Sequence, residues 1–243
     1  MRVKGFGAMG YPFQNAHVNL ANCLVNLQTW PSTGTVVPNE TPSYPTYDAS
    51  CAANRYVLQS TGASSSVFSA NTDYILMPGQ TAPVQNIQNI SFELGIYLST
   101  VSNSQYLLGK GHWFLVTEAT NALALLRYDA NTTSWIKWQT PNGSFTAANF
   151  YDIQFTQALG VFGTAPVIMI NGISQTLTPT NYQSATTYES DAGNDFIIGN
   201  AWGGATAAMS ITVYFARLYN AILSNATLLN NWYADRWRFG QVF

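Results

Sequence analysis

Charge is what this sequence has least of. Of 243 residues, 8% are Asp, Glu, Lys or Arg, against roughly 25% in an ordinary soluble domain. Nine Lys and Arg against eleven Asp and Glu leave a net charge of −2. Nucleic acid normally demands a clustered basic footprint, and Arg236 and Arg238 are too few to make one, so no nucleic-acid partner is expected. Cys23 and Cys51 make no disulfide framework and fit no zinc spacing; pairing between them stays open. The two histidines, His17 and His112, stand in no catalytic signature, and nucleophilic catalysis needs a base beside its nucleophile. His112, next to Trp113, reads as a packing residue at a strand end. No apolar run approaches the roughly 18 residues that span a bilayer, so no membrane insertion is expected. Behind Arg2 and Lys4 no continuous apolar stretch follows, so no secretory signal peptide is expected either.

What the chain has instead is apolar and aromatic: 47% hydrophobic and 14% Phe, Trp or Tyr. That suffices for a large core, and all-β sandwiches of about 200–250 residues occur as one domain. The surface must then consist of Asn, Gln, Ser, Thr and Tyr. Such a surface stays wet but keeps copies apart only weakly, which points to life in an assembly or outside a cell.

Period-2 patterning recurs along the sequence. "NISFELGIYLS" puts Ile90, Phe92, Leu94, Ile96 and Leu98 on one face. "LALLRYD" and "SWIKWQT" flank a hairpin loop at Asn131-Thr132-Thr133. "PVIMING" stops at Asn171-Gly172, a strong turn signal. "MSITVYFARLYN" places Ile211, Val213, Phe215 and Arg217 on one side, with Thr212, Tyr214, Ala216 and Leu218 on the other. One segment is helical: in "LSNATLLNNWYADRW", Ser224 is a plausible N-cap and Leu228, Leu229 and Trp232 recur at helical spacing over two or three turns. Many short strands with one late helix predict a β-sandwich. Residues 1–20 read as an irregular N-terminal arm before a sandwich domain over 21–243. "TWPSTGTVVPNETPSYPTYDAS" reads as an extended surface loop.

"GNAWGGAT" at 199–206 has the spacing of a phosphate loop without its lysine. A phosphate loop must open a helix, yet "AAMSITVYFARLY" is patterned as a strand, so a nucleotide site is not expected. "IIGNAWGG", followed by Arg217, Leu218, Tyr219, Asn220, Leu223 and Ser224, resembles the closing hairpin and helix of laminin-G-like, concanavalin A-like sandwich domains. "SANTDYILMPG", "NISFELGIYLS" and "APVIMINGI" resemble earlier segments of the same family, in order, over roughly residues 22–233. The resemblance implies an all-β antiparallel sandwich, a concanavalin A-like jelly roll, with a short C-terminal helix. Tyr214 and Phe215 stand where the family often carries acids, which puts an acid-dependent role there in doubt. Tyr233, Ala234, Asp235 and Trp237 are similar to the ending of phage structural proteins with this domain, although Arg236 replaces the usual proline.

Candidate chemistry is sparse. Glucanases of this fold carry a Glu-x-Asp-x-x-Glu strand, and retaining hydrolysis needs carboxylates about 5–5.5 Å apart. "ESDAGND" offers only Glu189, Asp191 and Asp195 in a loop context, so no enzyme is expected. Glu189, Asp191, Asn194 and Asp195 carry the oxygen ligands calcium takes, while a solvated turn is the plainer account; no other cofactor is implied. Trp135 and Trp138 lie three apart on a strand and must face opposite ways, so at least one is outward. Trp202, at the Gly-rich turn, is a binding or subunit-contact candidate. The leading expectation is a non-enzymatic virion structural protein, a decoration, minor capsid or fibre-associated subunit assembled in the host cytoplasm. Its partners would be other virion proteins and copies of itself. The alternative is a carbohydrate-binding module for host-surface or extracellular glycans, with Trp202, Trp138 and Trp135 as sugar platforms.

Overall fold

Alternation decides which way β7 (Asn89–Leu98) faces. Ile90, Phe92, Leu94, Ile96 and Leu98 are all fully buried in the main core, as a period of two requires. The residues between them, Ser91, Glu93 and Gly95, turn to the opposite face. The computed structural model describes residues 18–28, 36–41, 49–51, 56–58, 64–68, 74–79, 84–101, 105–129, 134–159, 164–180, 190–199 and 211–238.

Around β7 the first sheet runs β14 (Ile173–Ser174), β13 (Val167–Ile170), β12 (Asn149–Ala158), β7, β17 (Ile211–Tyr219), β5 (Ser64–Phe68) and β4 (Tyr56–Leu58). β1 (Cys23–Leu27) also pairs with β17. The second sheet begins with β15 (Thr178–Thr180), β11 (Ser134–Gln139), β10 (Leu123–Asp129), β9 (Trp113–Thr117) and β8 (Gln105–Lys110). It continues through β16 (Phe196–Ile198), β6 (Ile75–Met77), β3 (Ala49–Cys51) and β2 (Val36–Val37). Every pairing among these strands is antiparallel, for example β7 with β12 and β8 with β9. The expected all-β sandwich is the fold. Its two inner faces meet through rings: Phe92 lies 5.8 Å from Phe196, and Trp113 lies 5.9 Å from Phe155. Burying one such side chain is worth about 1.5–3 kcal/mol.

Three local readings need correction. Strict alternation fails in β17, where the register slips between Val213 and Phe215. This bulge keeps Ile211 and Val213 in the main core, then restores Ala216 and Leu218 to it. Phe215, Arg217 and Tyr219 are thereby sent to the far face. Nor do β16 and β17 form a hairpin, because they lie in different sheets. Gly199 itself has φ 90°, and the strand β17, not a helix, is the next described element. The Pro/Ser/Thr-rich loop, finally, supplies β2 and β3 at the edge of the second sheet.

The helix α1 (Asn225–Arg238) has 14 residues, longer than expected. Ser224 caps it: its Oγ accepts from the N–H of Thr227 at 3.1 Å. It lies against the outer face of the first sheet. Leu228, Asn231, Ala234 and Asp235 form its buried stripe, so half of that stripe is polar. The end of the arm joins this layer, since Asn19 donates its N–H to Asn231 Oδ1 at 2.8 Å. The β13–β14 turn, Asn171-Gly172, has positive φ at both positions, 51° and 74°, as a type I′ hairpin requires. A Cβ on Gly172 would stand 2.6 Å from the Trp232 ring. We therefore expect Gly172→Ala to cost about 1–2 kcal/mol in urea denaturation, and an unchanged midpoint would mean the helix does not seat on this hairpin.

Candidate functional site

Two outer faces flank the core, and they differ in chemistry. Under α1, the bulge in β17 gathers a buried polar network. Arg217 donates from Nη1 and Nη2 to both oxygens of Asp235, at 2.6 and 2.7 Å. It donates again from Nη1 to Glu93 Oε2 at 3.2 Å and from Nε to Asn26 Oδ1 at 3.3 Å. Glu93 also accepts from the Tyr219 hydroxyl at 2.8 Å and from Asn231 Nδ2 at 2.7 Å. Gln154 Nε2 donates to the Leu228 carbonyl at 2.8 Å. Burial works against the Arg217 charge, but Asp235 and Glu93 more than offset it and hold its pKa above the ordinary value. Burial pushes the Glu93 carboxyl up, with Arg217 opposing.

Asp152 is the odd member. It is fully buried beside this network, and neither of its carboxylate oxygens has a hydrogen-bond partner. Burial, then the charges of Asp235 and Glu93, push its pKa well up. Perturbed carboxyls often mark catalysis. Here Glu93, Asp152, Asp235 and Arg217 are sealed from solvent, so no substrate reaches them, and the network reads as a latch for the helix.

On the outer face of the second sheet, four strands build a ladder of rings. Tyr106 of β8 meets Phe114 of β9 at 5.4 Å, edge to face. Phe114 lies 5.7 Å from Trp135 of β11, and Trp135 lies 5.1 Å from Tyr128 of β10. Tyr128 stacks on His112 at 5.9 Å and 19°. The register explains the ladder, because Tyr128 faces Trp135 and Leu126 faces Phe114 directly across the strands. Phe114 is buried, whereas Tyr106, His112, Tyr128 and Trp135 are half-buried. Beside Trp135 the same face carries an ion pair: Lys137 Nζ lies 3.3 Å from Glu118 Oε1, with side chains 25% and 23% exposed. Beyond it, Gln139 Nε2 donates to Thr120 Oγ1 and Asn142 Oδ1. An aromatic platform thus runs into charged and then amide groups along one strand.

The residues singled out from sequence scatter. Trp138 is 1% exposed and packs with Ile136 and Leu177, so its ring offers no platform. Trp135 is the outward member of the pair, as alternation required. Trp202 and Glu189 lie outside the described residues. Asp191 is buried, and its cation is a lysine: Lys110 Nζ lies 3.0 Å from Asp191 Oδ1 and donates to its carbonyl at 2.6 Å. Burial pulls the Lys110 pKa down, and Asp191 holds it back up. Asp191 Oδ1 also accepts the Asn86 N–H, and Asp195 Oδ1 the Gly79 N–H. Asn194 is half-buried in the same turn. Among the described residues no three His, Cys, Asp or Glu side chains are grouped to hold a metal. Cys23 is a buried free thiol, pushed up to about 12 by burial; the Cys51 side chain lies outside the described residues. Sequence reasoning missed Tyr106, Phe114, Tyr128, Glu118 and Lys137. Their alternation within each strand was visible, but the registers that bring them together were not.

No family model matches the chain, and no curated protein matches it. Solved structures do. The binding domain of Paraclostridial Mosquitocidal Protein 1 superposes with a TM-score of 0.66 at 11% identity, over 87% of this chain and 52% of that one. The botulinum neurotoxin serotype D ligand-binding domain, in complex with N-acetylneuraminic acid, gives 0.64 at 12%, over 87% and 50%. Trypanosoma rangeli sialidase gives 0.64 at 15%, over 91% and 34%. The fold is a lectin-like β-sandwich. The chain spans half the length of these toxin domains and a third of the sialidase.

The latch yields a pH prediction. A carboxyl whose folded pKa is raised keeps its proton while the unfolded chain, near 3.9, loses it. Stability therefore falls as pH rises above about 4. Asp152→Asn should raise the thermal midpoint at pH 7 to 8, with the gain shrinking towards pH 4. Arg217→Met should cost about 3–5 kcal/mol by stranding Glu93 and Asp235. A wild-type-like pH profile in Asp152→Asn would show that this carboxyl is ionised in the fold.

Proposed function

We propose that this chain is a non-catalytic carbohydrate-binding module whose site is the ring ladder on the outer face of the second sheet. The ladder from Tyr106 to His112 carries the proposal. Sugar rings present apolar C–H faces that stack on aromatic side chains, while their hydroxyls need donors and acceptors at the margin. Trp135 and Tyr128 supply the first requirement, and Lys137, Glu118, Gln139 and Thr120 supply the second. The mix of apolar surface with few convergent polar groups is that of ligand sites in general.

The toxin and sialidase neighbours support the reading by fold. The neurotoxin domain holds N-acetylneuraminic acid, but this chain corresponds to only half of it, so the sugar carries over as a class of ligand and not as an identity. A virion role, with other virion proteins or copies of itself as partners, has no support from these neighbours. Within the phage-like tail, Asp235 is the buried partner of Arg217.

The test is a glycan array probed with the purified protein, followed by titration calorimetry on the best ligand. Trp135→Ala and Tyr128→Ala should each weaken binding about tenfold, or ~1.4 kcal/mol, with the thermal midpoint little changed. Binding that ignores both substitutions would move the site elsewhere, and an empty array would sink the proposal.

A further inference from the structure

Lys137 and Glu118 are not neutral bystanders of the platform. Both project from the outer face beside Trp135, and each is about a quarter exposed. Lys137 follows Trp135 by two residues on β11, so the two side chains stand about 7 Å apart on one face. That spacing is about the width of one sugar ring. A ring lying on Trp135 brings its edge hydroxyls to the ion pair.

The pair has a definite chemistry towards such an edge. The Lys137 ammonium only donates, and the Glu118 carboxylate only accepts. A hydroxyl does both. Two neighbouring hydroxyls can bridge the pair, one accepting from Lys137 Nζ and the other donating to Glu118 Oε1. Hydrogen bonds to charged partners are about twice as strong as neutral ones. An acidic sugar meets a different situation. Its carboxylate is drawn to Lys137, but Glu118 already lies 3.3 Å from that ammonium and repels a second anion. The attraction and the repulsion cancel, and no other charged side chain among the described residues of the ladder restores the balance.

We infer that this site takes uncharged sugars, gripping a vicinal pair of hydroxyls between Lys137 and Glu118 with the ring seated on Trp135, and turns acidic sugars away. The inference rests on the carbohydrate-binding reading of the ladder and adds its selectivity. It also separates this chain from a neighbour solved with an acidic sugar.

The experiment compares the full chain on matched neutral and sialylated oligosaccharides of the same core, by array and by calorimetry. Wild type should favour the neutral member at least tenfold. Glu118→Gln should lose neutral affinity and narrow or reverse that preference, because the repelling charge is gone. Lys137→Met should weaken the neutral ligand without improving the acidic one. Both side chains are partly exposed, so folding is checked simply by an unchanged thermal midpoint. Trp135→Ala should weaken the neutral ligand about tenfold. A wild-type preference for the sialylated member overturns the inference while leaving the ladder as the site. Loss of all glycan binding, or binding insensitive to Trp135→Ala, overturns both.

Discussion

A guanidinium with no exposure to solvent sets the terms for the rest of this structure. Arg217 lies on the outer face of the first sheet, where a charged side chain would ordinarily reach water. The helix covers it, and the charge is matched by Asp235 from that helix and Glu93 from the central strand. Removing two ions from water costs several kcal/mol each, and only near-ideal geometry offsets this. The geometry here is near ideal: a two-pronged contact to Asp235, a third bond to Glu93 and a fourth to Asn26. Without the helix Arg217 would keep only part of that set. The helix is therefore bound to one position and one register, because a shift of one residue would take Asp235 away from both Nη atoms.

That constraint explains which surface remains for function. The first sheet spends its outer face on the helix, and its acids lie beneath it. The second sheet turns its outer face elsewhere and fills it with rings. The same division accounts for the poverty of charge. Glu93, Asp152, Asp191 and Asp235 are buried, as are Lys110, Arg127 and Arg217. A third of a small supply of charge is inside the molecule, organising loops and the helix. The surface is left more neutral than even the composition suggests.

Much of the architecture was legible in sequence because strand periodicity is a local property. Ile90 through Leu98 needed no partner to declare their face. The N-cap at Ser224 was equally local. The bulge at Tyr214 was not, since one extra residue leaves hydrophobicity unchanged while reversing every later side chain. The helix misled for another reason. Its buried stripe includes Asn231 and Asp235, and a search for apolar spacing passes over them. Arg217 and Tyr219 of the family resemblance and Asp235 of the tail are members of the buried latch, while Leu218 lies in the main core. Of the tail residues that suggested a particle, Asp235 holds the helix. The ladder was illegible for want of register: Tyr106, Phe114, Tyr128 and Trp135 sit on four strands and meet only once those strands are paired.

Asp152 shows that the latch is not optimised for stability alone. A third carboxyl stands beside two that already share the nearby guanidinium, and it has no hydrogen-bond partner of its own. An amide of the same shape would carry no such cost, so the position is strained by charge and relieved by a proton. The contribution of Asp152 to stability is therefore lost as pH rises from the ordinary carboxylate range through its raised pKa. Asp152 stands on the first sheet and the ring ladder on the second. Helix docking and the ring face thus lie on different sheets, and a change in one can be measured without confusing it with a change in the other.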